Sequence, residues 1–427
     1  MKTTLILFSL FISIASILTA EPTAARDWKA KSGHTVKASA IKVEDGKVHL
    51  KKSNGKVIRV PLDKLSPADQ TLLKEHFKIS DEATVESGSS AKAAEGLPHP
   101  LGEVSGPVDA GGGSTYFVYL PKSLKQDRKA PLLFYTNAGG GNKNHISSLS
   151  EYAEAFGWVL AVSVQSKNKD GWELNTKNCK NCLEHILTNL PVDKDRLHYT
   201  GNSGGGAQAF VNTTIKSAYG VMPNIGYIPQ QTNERTTVIY GLGGGNDYNR
   251  YLTAHAADKY KKNGFHRMTK HGHGSAPHDH RGDGMFWMHC KFLGKEKRKH
   301  ADEAKDFELS SLQWLTEMKN KNPMRAYSNA VFFKEIYEPS DNNAKALEKL
   351  ITELAATKDN VLYHEGLLGI DNISGKYFAP LGKNGGSKMK HESPKAARAA
   401  EKLKETHGQI PAISEVLDAI IKPTVGG

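Results

Sequence analysis

Cysteine is scarce in this chain, which has three cysteines among 427 residues. So few thiols exclude a disulfide framework, and the fold must depend on its hydrophobic core. Cys179 and Cys182 form a C-x-x-C pair at a predicted helix start, where a local disulfide is compatible with an oxidising compartment. No thioredoxin-type βαβ pattern surrounds this pair, and one C-x-x-C alone is poor support for zinc. Cys290 is expected to be unpaired and buried.

Long apolar runs are missing after the first twenty residues. Residues 1–20 have the pattern of a signal peptide, because Lys2 is basic and the apolar run Leu5 to Leu18 is too short to cross a bilayer. Leu18-Thr19-Ala20 supplies a small-residue cleavage site. We expect an exported protein, secreted or periplasmic, without a transmembrane segment after signal removal. A retained N-terminal anchor is the alternative.

Acidic residues are outnumbered, and the formal net charge is +12. Between Arg26 and Lys78 there are 13 Lys or Arg against 6 Asp or Glu. This excess favours contact with an anionic surface, such as acidic polysaccharide or the cell envelope. A solvated lysine-rich exterior explains it equally well. Nucleic acid is not an expected partner, because no nucleic-acid motif accompanies the charge and export argues against it.

The segment 26–78 has the pattern of a small β domain. Thr35 to Val43 alternates like a half-buried strand, and Asp45-Gly46 is a hairpin signal. Ser66 can cap a short helix whose first position suits Pro67. Short strands closed by one helix predict an SH3-like β-barrel.

The same segment resembles the SHD1 (Sla1 homology domain 1) family over nearly its whole length. Trp28, the hairpin from Asp45 to Leu50 and the run from Val60 to Asp69 carry the resemblance. It implies a small module that binds a protein or another ligand and has no chemistry of its own.

Three further segments follow. Residues 79–98 are poor in large apolar side chains and are predicted to be a flexible linker. Residues 101–320 alternate predicted strands and helices, which favours an α/β fold: a mostly parallel sheet with helices on both faces. The predicted strands are Thr115 to Leu120, Pro131 to Tyr135, Trp158 to Val164, Arg196 to Thr200, Gly220 to Met222, Thr236 to Tyr240 and Phe265 to Thr269.

Residues 321–427 are predicted to form a helical C-terminal extension. The helical patterns at this end of the chain are Phe307 to Met318, Asn343 to Ala356 and Pro394 to His407. The basic, glycine-rich stretch Gly382 to Glu392 is predicted to be a loop. The extension either packs on the preceding domain or folds separately, and its sequence indicates no function.

Ser203 lies in the pentapeptide Gly201-Asn202-Ser203-Gly204-Gly205, between a predicted strand and a predicted helix. A G-x-S-x-G sequence in that context is typical of a nucleophile elbow, a turn so tight that only glycine fits beside the serine. A plain glycine turn is the alternative. A serine nucleophile needs a base, an acid that orients the base, and hydrogen-bond donors for the oxyanion.

Candidates for the acid and the base follow in chain order. Asp247 lies beyond a predicted strand and a run of glycines, and its alternative role is a helix cap. His273, between two glycines after the last predicted strand, is the candidate base, with His271 as second choice. The crowding of His271, His273, His278, Asp279 and His280 also allows a metal site. Their spacing matches no zinc motif, so we expect neither metal nor cofactor.

The run Asn137-Ala138-Gly139-Gly140-Gly141 follows a predicted strand where an oxyanion loop belongs. Gly139 and Gly204 are the candidate main-chain donors. A phosphate-binding loop is the alternative, but the Lys-Ser/Thr ending of a P-loop is missing. Trp172 and Trp287 are possible pocket walls, and Val221 to Glu234 could partly cover the site.

Residues 101–320 resemble the α/β-hydrolase superfamily, and most closely its secreted esterases of the poly(hydroxyalkanoate)-depolymerase-like or feruloyl-esterase-like kind. Asp195 to Gly206, Asn137 to Gly141 and His271 to Gly274 carry the resemblance. It implies an acyl-Ser203 intermediate on esterified polysaccharide, polyester or a small ester. A serine peptidase on the same scaffold and a hydrolase-fold binding protein without turnover are the alternatives.

Overall fold

The computed structural model describes residues 22–31, 33–44, 47–77, 96–230, 232–274, 276–380 and 385–422. The predicted signal peptide, the Asp45-Gly46 turn and most of the predicted linker lie outside these residues. The chain divides into two compact units, Met1–Ser90 and Ala91–Gly427. Within the described residues, none of the helices combines the length and apolar character needed to cross a membrane.

The first unit is a four-stranded antiparallel sheet whose strands follow chain order. Its elements are β1 Arg26–Lys29, β2 Thr35–Glu44, β3 Lys47–Lys51, β4 Val57–Pro61 and helix α1 Pro67–His76. Trp28 is fully buried in its core, and its indole N–H donates to the Ala38 carbonyl at 2.9 Å. Ser66 caps α1 and Pro67 opens it, which confirms the predicted helix start. Asp69 joins α1 to β1 by accepting from the Lys29 amide at 2.8 Å.

The second unit contains an eight-stranded, mostly parallel sheet in the order β5-β6-β8-β7-β9-β10-β11-β12. The strands are β5 Val104–Asp109, β6 Thr115–Tyr119, β7 Ala130–Asn137, β8 Val159–Ser163, β9 Val192–Asn202, β10 Ala218–Asn224, β11 Thr236–Gly244 and β12 Gly264–Thr269. β6 pairs antiparallel with both of its neighbours, β5 and β8, and the remaining neighbours run parallel. All seven predicted strands are confirmed, and β5 is an additional one.

Helices cover both faces of this sheet, as predicted. They are α2 Asn144–Ser147, α3 Ser150–Phe156, α4 Gly171–Asn189, α5 Gly204–Ile215, α6 Arg250–Asp258, α7 His278–Glu296, α8 Ala301–Lys321, α9 Pro323–Tyr337, α10 Asp341–Ala355, α11 Lys358–Tyr377, α12 Gly385–His407 and α13 Pro411–Ile421. The core on one face gathers side chains from α3 and α7 to α10, and the core on the other face gathers them from α4 to α6.

The C-terminal helices pack on the sheet unit instead of folding apart from it. A third cluster joins α11, α12 and α13 to Ala254 of α6 and Met268 of β12. Helices α9, α11 and α13 go beyond the sequence prediction. The predicted loop from Gly382 to Glu392 is wrong in its described part, because α12 already begins at Gly385.

The C-x-x-C pair lies in the middle of a helix and not at its start. Cys179 and Cys182 fall within the 19-residue helix α4, and both thiols are free and buried. Burial raises the pKa of each thiol to about 12, which keeps both protonated and unreactive near neutral pH. Cys290 is also free and buried, as predicted. These cysteines therefore belong to the hydrophobic core.

His198 of β9 is a fully buried histidine whose two ring nitrogens have no hydrogen-bond partner among the described residues. Its ring lies between those of Trp158 and Tyr219, with centroids 4.2 Å and 5.8 Å away. Burial, assisted by nearby Arg196, lowers the pKa of His198 from 6.5 to about 3. The native state therefore keeps this ring neutral in mild acid, where the unfolded chain takes up a proton.

We predict that His198→Phe makes the protein less sensitive to acid. The stability that depends on neutral His198 is complete above pH 6.5 and is lost as the pH falls from there toward 3. One such group contributes about 1.4 kcal/mol of unfolding free energy per pH unit in that window. The fall in Tm between about pH 7.5 and about pH 5 should be smaller in the variant than in the parent. His278→Gln is the control, because the His278 side chain is 55% exposed. An unchanged fall in Tm would contradict the prediction.

Candidate active site

Ser203 occupies a strained turn between β9 and α5. Its φ of 55° and ψ of −122° place a non-glycine residue in a region that side chains avoid. The turn is held by close backbone contacts, since a Cβ on Gly201 would lie 2.3 Å from the Thr136 carbonyl oxygen, and so would one on Gly205. Neither position has room for a side chain. The strand, the strained turn at Ser203 and the helix follow one another in the predicted order.

The three residues chosen from the sequence as nucleophile, base and acid form one hydrogen-bonded chain. Ser203 Oγ lies 2.7 Å from His273 Nε2, and His273 Nδ1 lies 3.0 Å from Asp247 Oδ1. Asp247 follows β11 and His273 follows β12, neighbouring parallel strands whose carboxyl ends share one edge of the sheet. The His273 side chain is 32% exposed, whereas the Asp247 side chain is fully buried. A solvent-accessible serine is thus connected through one imidazole to a buried carboxylate.

The Asp247 carboxylate is held by its own turn. The Asp247 amide donates to the Gly244 carbonyl at 3.0 Å, and Oδ1 also accepts the Asn249 amide at 2.9 Å. Asn249, and not Asp247, is the cap residue of α6. Asp247 therefore contacts the start of α6 through the Asn249 amide and contacts His273 with the same oxygen.

The other histidines of this region do not reach Ser203. His271 Nδ1 lies 3.2 Å from Thr269 Oγ1, and His280 Nδ1 lies 3.9 Å from Asp283 Oδ2. Among the described residues, the grouping with metal-ligand spacing is Glu151, His278 and Asp279. It contains neither His271 nor His273 and lies mostly exposed, so the five residues of the predicted metal alternative are not brought together.

The loop after β7 lies beside the elbow. Asn137 of β7 is paired with Asn202 of β9 in the sheet, so the residues that follow Asn137 lie next to Ser203. The Gly139 amide donates to Asn137 Oδ1 at 2.8 Å, so this predicted oxyanion donor is engaged within its own loop. Gly204 directly follows Ser203 in the first turn of α5, where backbone amides lack helical partners. Of the two predicted donors, the Gly204 amide is the one that can bind an oxyanion without first breaking a hydrogen bond to Asn137.

A cavity of about 140 Å³ adjoins the elbow, and its walls are mainly polar. Its lining includes Asn137, Lys167, Asn168, Trp172, Asn175, Gly204, Gln208 and Tyr227. Trp172, a predicted wall, is 45% exposed, whereas Trp287 is 7% exposed and belongs to the core. Trp287 does not line this cavity, because α7 directs its ring against Tyr240 of β11 and Phe265 of β12 instead.

Sequence reasoning missed two residues of this site. The ring of Tyr248 stacks on His273 with centroids 4.6 Å apart, and its hydroxyl lies 3.2 Å from His273 Nε2. Its place directly after Asp247 was an available signal. The side chain of Asn168 covers Gly204 so closely that a Cβ on that glycine would lie 1.9 Å from Asn168 Oδ1. No sequence pattern marks Asn168, whose amide donates to the Ala138 carbonyl at 2.9 Å, beside a backbone bridge between Lys167 and Gly139.

The strand order of the second unit and its serine elbow define an α/β-hydrolase fold. Residues 18–81 match the family described as SLA1 homology domain 1, SHD1, which confirms the predicted resemblance of the first unit. Among curated proteins, no sequence match to the chain was found.

Several solved esterase structures are similar to part of the chain. A hyperthermophilic esterase from Pyrobaculum calidifontis has 13% identity and a TM-score of 0.34, with 50% of this chain and 91% of that one covered. Esterase Est2 from Thermogutta terrifontis has 18% identity and a TM-score of 0.32, covering 42% and 88%. An acetyl xylan esterase from Paenibacillus sp. R4 has 13% identity and a TM-score of 0.34, covering 41% and 78%.

We predict that Gly205→Ala disrupts the elbow. The added Cβ would lie 2.3 Å from the Thr136 carbonyl oxygen and 2.6 Å from the Asn137 Cα, so backbone must move. Overpacking of this kind costs about 1–3 kcal/mol of unfolding free energy. Gly375→Ala in α11 is the matched control, because that Cβ meets nothing within 4 Å and the change should stabilise the helix by about 0.5–1 kcal/mol. Urea unfolding of both variants measures this. Equal stabilities would refute the close contact at Gly205.

Proposed function

We propose that the protein is an exported serine hydrolase that cleaves carboxylic esters through an acyl-Ser203 intermediate. The observation that carries the proposal is the continuous contact from Ser203 Oγ through the His273 imidazole to the buried Asp247 carboxylate. A serine in a strained, accessible turn with a base at 2.7 Å has the geometry that nucleophilic catalysis requires. Export rests on the N-terminal sequence, which lies outside the described residues.

In the acylation step, His273 Nε2 accepts the hydroxyl proton while Ser203 Oγ attacks the ester carbonyl carbon. The tetrahedral intermediate then collapses, and the same proton passes from His273 to the departing alcohol. In deacylation, His273 takes a proton from water, the hydroxide attacks the acyl carbon, and the proton returns to Ser203 as the carboxylic acid leaves. Asp247 keeps the Nδ1–H of His273 oriented and balances the imidazolium charge.

Two main-chain amides would stabilise the oxyanion. Gly204 N–H is one, because it directly follows the nucleophile. The predicted Gly139 amide can serve only if Asn137 Oδ1 releases it. The Ala138 amide is the better second donor. Asn137 and Asn202 are paired across β7 and β9, and Ala138 and Ser203 are the residues that follow them.

The first experiment compares the parent protein, Ser203→Ala and Asp247→Asn on a short-chain p-nitrophenyl ester and a fluorophosphonate probe. Ser203→Ala should abolish labelling and reduce hydrolysis by at least about 10³-fold, because the covalent step is lost. Asp247→Asn should still be labelled, slowly, because the serine remains. A folded parent that is neither labelled nor active would exclude the hydrolase and leave a binding protein without turnover. Cleavage of peptides in preference to esters would instead indicate the serine peptidase.

The surroundings of Ser203 favour an ester of a polysaccharide over a polyester. Amide and ammonium side chains line the cavity beside the elbow. Asn168 and Lys167 can form hydrogen bonds to hydroxyl groups there, whereas Asn175 is bonded to the Lys167 backbone. Trp172 and Tyr248, 45% and 50% exposed, present aromatic rings at this site. Exposed rings beside polar groups suit the apolar face and the hydroxyls of a sugar. An aliphatic polyester would leave the polar groups without partners.

We predict that Trp172→Ala weakens binding of esterified polysaccharide without altering the chemical step. Removal of the ring should raise KM for an acetylated oligosaccharide by roughly 5- to 30-fold, equivalent to about 1–2 kcal/mol, with kcat almost unchanged. For p-nitrophenyl acetate, which carries no sugar, KM should change less than twofold. Leu174→Ala, 47% exposed on the same helix but outside the cavity lining, is the control. A similar KM increase for both esters would count against a sugar-binding ring.

The SHD1 unit would hold the enzyme near an anionic matrix, such as the cell envelope or an acidic polysaccharide. Its described strands carry many lysines at exposed positions, including Lys37 and Lys51. An anionic surface attracts such a unit at low ionic strength and loses it as salt is added.

A further inference from the structure

The turn that carries Asp247 packs directly on the C-terminal helix α13. A Cβ on Gly245 would lie 2.8 Å from the Cβ of Ala419 and 3.2 Å from the Thr269 carbonyl oxygen. The Gly245 amide donates to that same Thr269 oxygen at 2.7 Å. The acid turn is therefore confined between β12 and α13. This contact explains the third glycine in the long run before Asp247, because a larger residue would push the turn away from α13.

Arg250 adds a polar link between the same turn and the C-terminal helices. Arg250 is only 1% exposed, and such complete burial is unusual for an arginine. One guanidinium nitrogen, Nη1, donates to the Gly245 carbonyl at 3.0 Å and to the Ala419 carbonyl of α13 at 3.4 Å. Nη2 donates to Ser393 Oγ of α12 at 3.4 Å. The guanidinium also lies over the Phe378 ring, 4.8 Å from its centroid.

Arg250 and Asp247 interact through their opposite charges. Both side chains are buried, and a buried ion is costly without a counter-charge. Burial lowers the pKa of Arg250, and the Asp247 carboxylate opposes that shift. Asp247 Oδ2 has no hydrogen-bond partner among the described residues, so the charge of Arg250 is an interaction that compensates for the burial of this carboxylate. An ionised acid is what the imidazole of His273 requires.

The His273 loop is connected to the same helix. Lys270, directly after β12, lies 2.7 Å from Glu415 of α13, and the Asn246 amide donates to the His271 carbonyl at 3.1 Å. The Lys270–Glu415 pair is half exposed, so its energetic contribution is small. It shows that α13 spans both loops that supply the acid and the base.

We propose that the C-terminal helical layer positions the Asp247 carboxylate for catalysis, with Arg250 and the Gly245–Ala419 contact as the positioning elements. This inference rests on the proposed hydrolase function. It gives the C-terminal helices a role in turnover: they hold the acid turn against β12 and supply the carbonyl and hydroxyl acceptors that place a buried cation beside Asp247. Arg250 touches no substrate and acts only through Asp247.

The first test compares Arg250→Met, Arg250→Lys and the control Arg267→Met. Arg267 is also a buried arginine that contacts the helical layer, but it pairs with Asp371 of α11 at 3.3 Å. Active sites are counted from the final extent of fluorophosphonate labelling, and kcat is expressed per labelled site. Arg250→Met should lower kcat by about 10- to 100-fold with KM within twofold, because a misplaced acid affects the transition state and not substrate binding.

Arg250→Lys should recover part of that loss, because it keeps the charge but not the forked donor geometry. Arg267→Met should lower Tm yet retain the parental kcat per site. An Arg250→Met enzyme with parental kcat per site, or an equal loss in Arg267→Met, would overturn the inference. A parent that neither reacts with the probe nor hydrolyses esters would remove the proposed function, and this inference with it.

A second pair of variants tests the packing contact without changing charge. Ala419→Leu should push on the Gly245 turn and lower kcat per site by about tenfold with KM unchanged, since overpacking shifts backbone. Ala400→Leu is the matched control: Ala400 of α12 is fully buried in the same layer, away from the residues that contact the acid turn. Equal effects of the two leucines on kcat would refute a specific contact at Ala419.

Discussion

The buried carboxylate of Asp247 is the group on which the arrangement of the second unit depends. A carboxylate removed from water must find charge and hydrogen bonds within the protein. Asp247 obtains them from His273, from the Asn249 amide and from the buried guanidinium of Arg250. His273 belongs to the loop after β12, and Asn249 and Arg250 belong to the start of α6, which the C-terminal helices contact. The acid thus joins two loops at the carboxyl edge of the sheet to the helices at the end of the chain.

The nucleophile is held by a different constraint, the close approach of three backbone segments. β7 and β9 bring the Thr136 carbonyl against Gly201 and Gly205, and this leaves Ser203 with a positive φ. A strained turn persists only where the surrounding structure determines it more strongly than local preference. The parallel pairing of β7, β9 and β10 fixes the backbone on both sides of this turn. The central strands of the sheet therefore hold Ser203 in its strained, accessible position.

Much of the fold was predictable because it follows local patterns. Seven strands were found from short apolar runs, which buried parallel strands require on both faces. β5 was missed because Val104–Asp109 contains no buried residue and includes Gly106 and Pro107. α11 was missed because three glycines interrupt its helical pattern. Two of them, Gly366 and Gly369, lie against the side chains of Ile413 and Leu403, so tertiary packing and not helix propensity explains them.

The sequence by itself determined the classes of groups that could meet: a serine in a glycine elbow, a carboxylate after one strand and a histidine after the next. Their order along the chain was enough, because parallel strands deliver successive loops to one edge of the sheet. Only the tertiary structure decided which atoms meet. It placed His273 and not His271 at Ser203, engaged the Gly139 amide within its own loop, and brought Arg250 and Ala419 to the acid turn. The hydrogen bond from Arg250 to Ala419 joins residues 169 positions apart, and no local pattern encodes a contact across the fold.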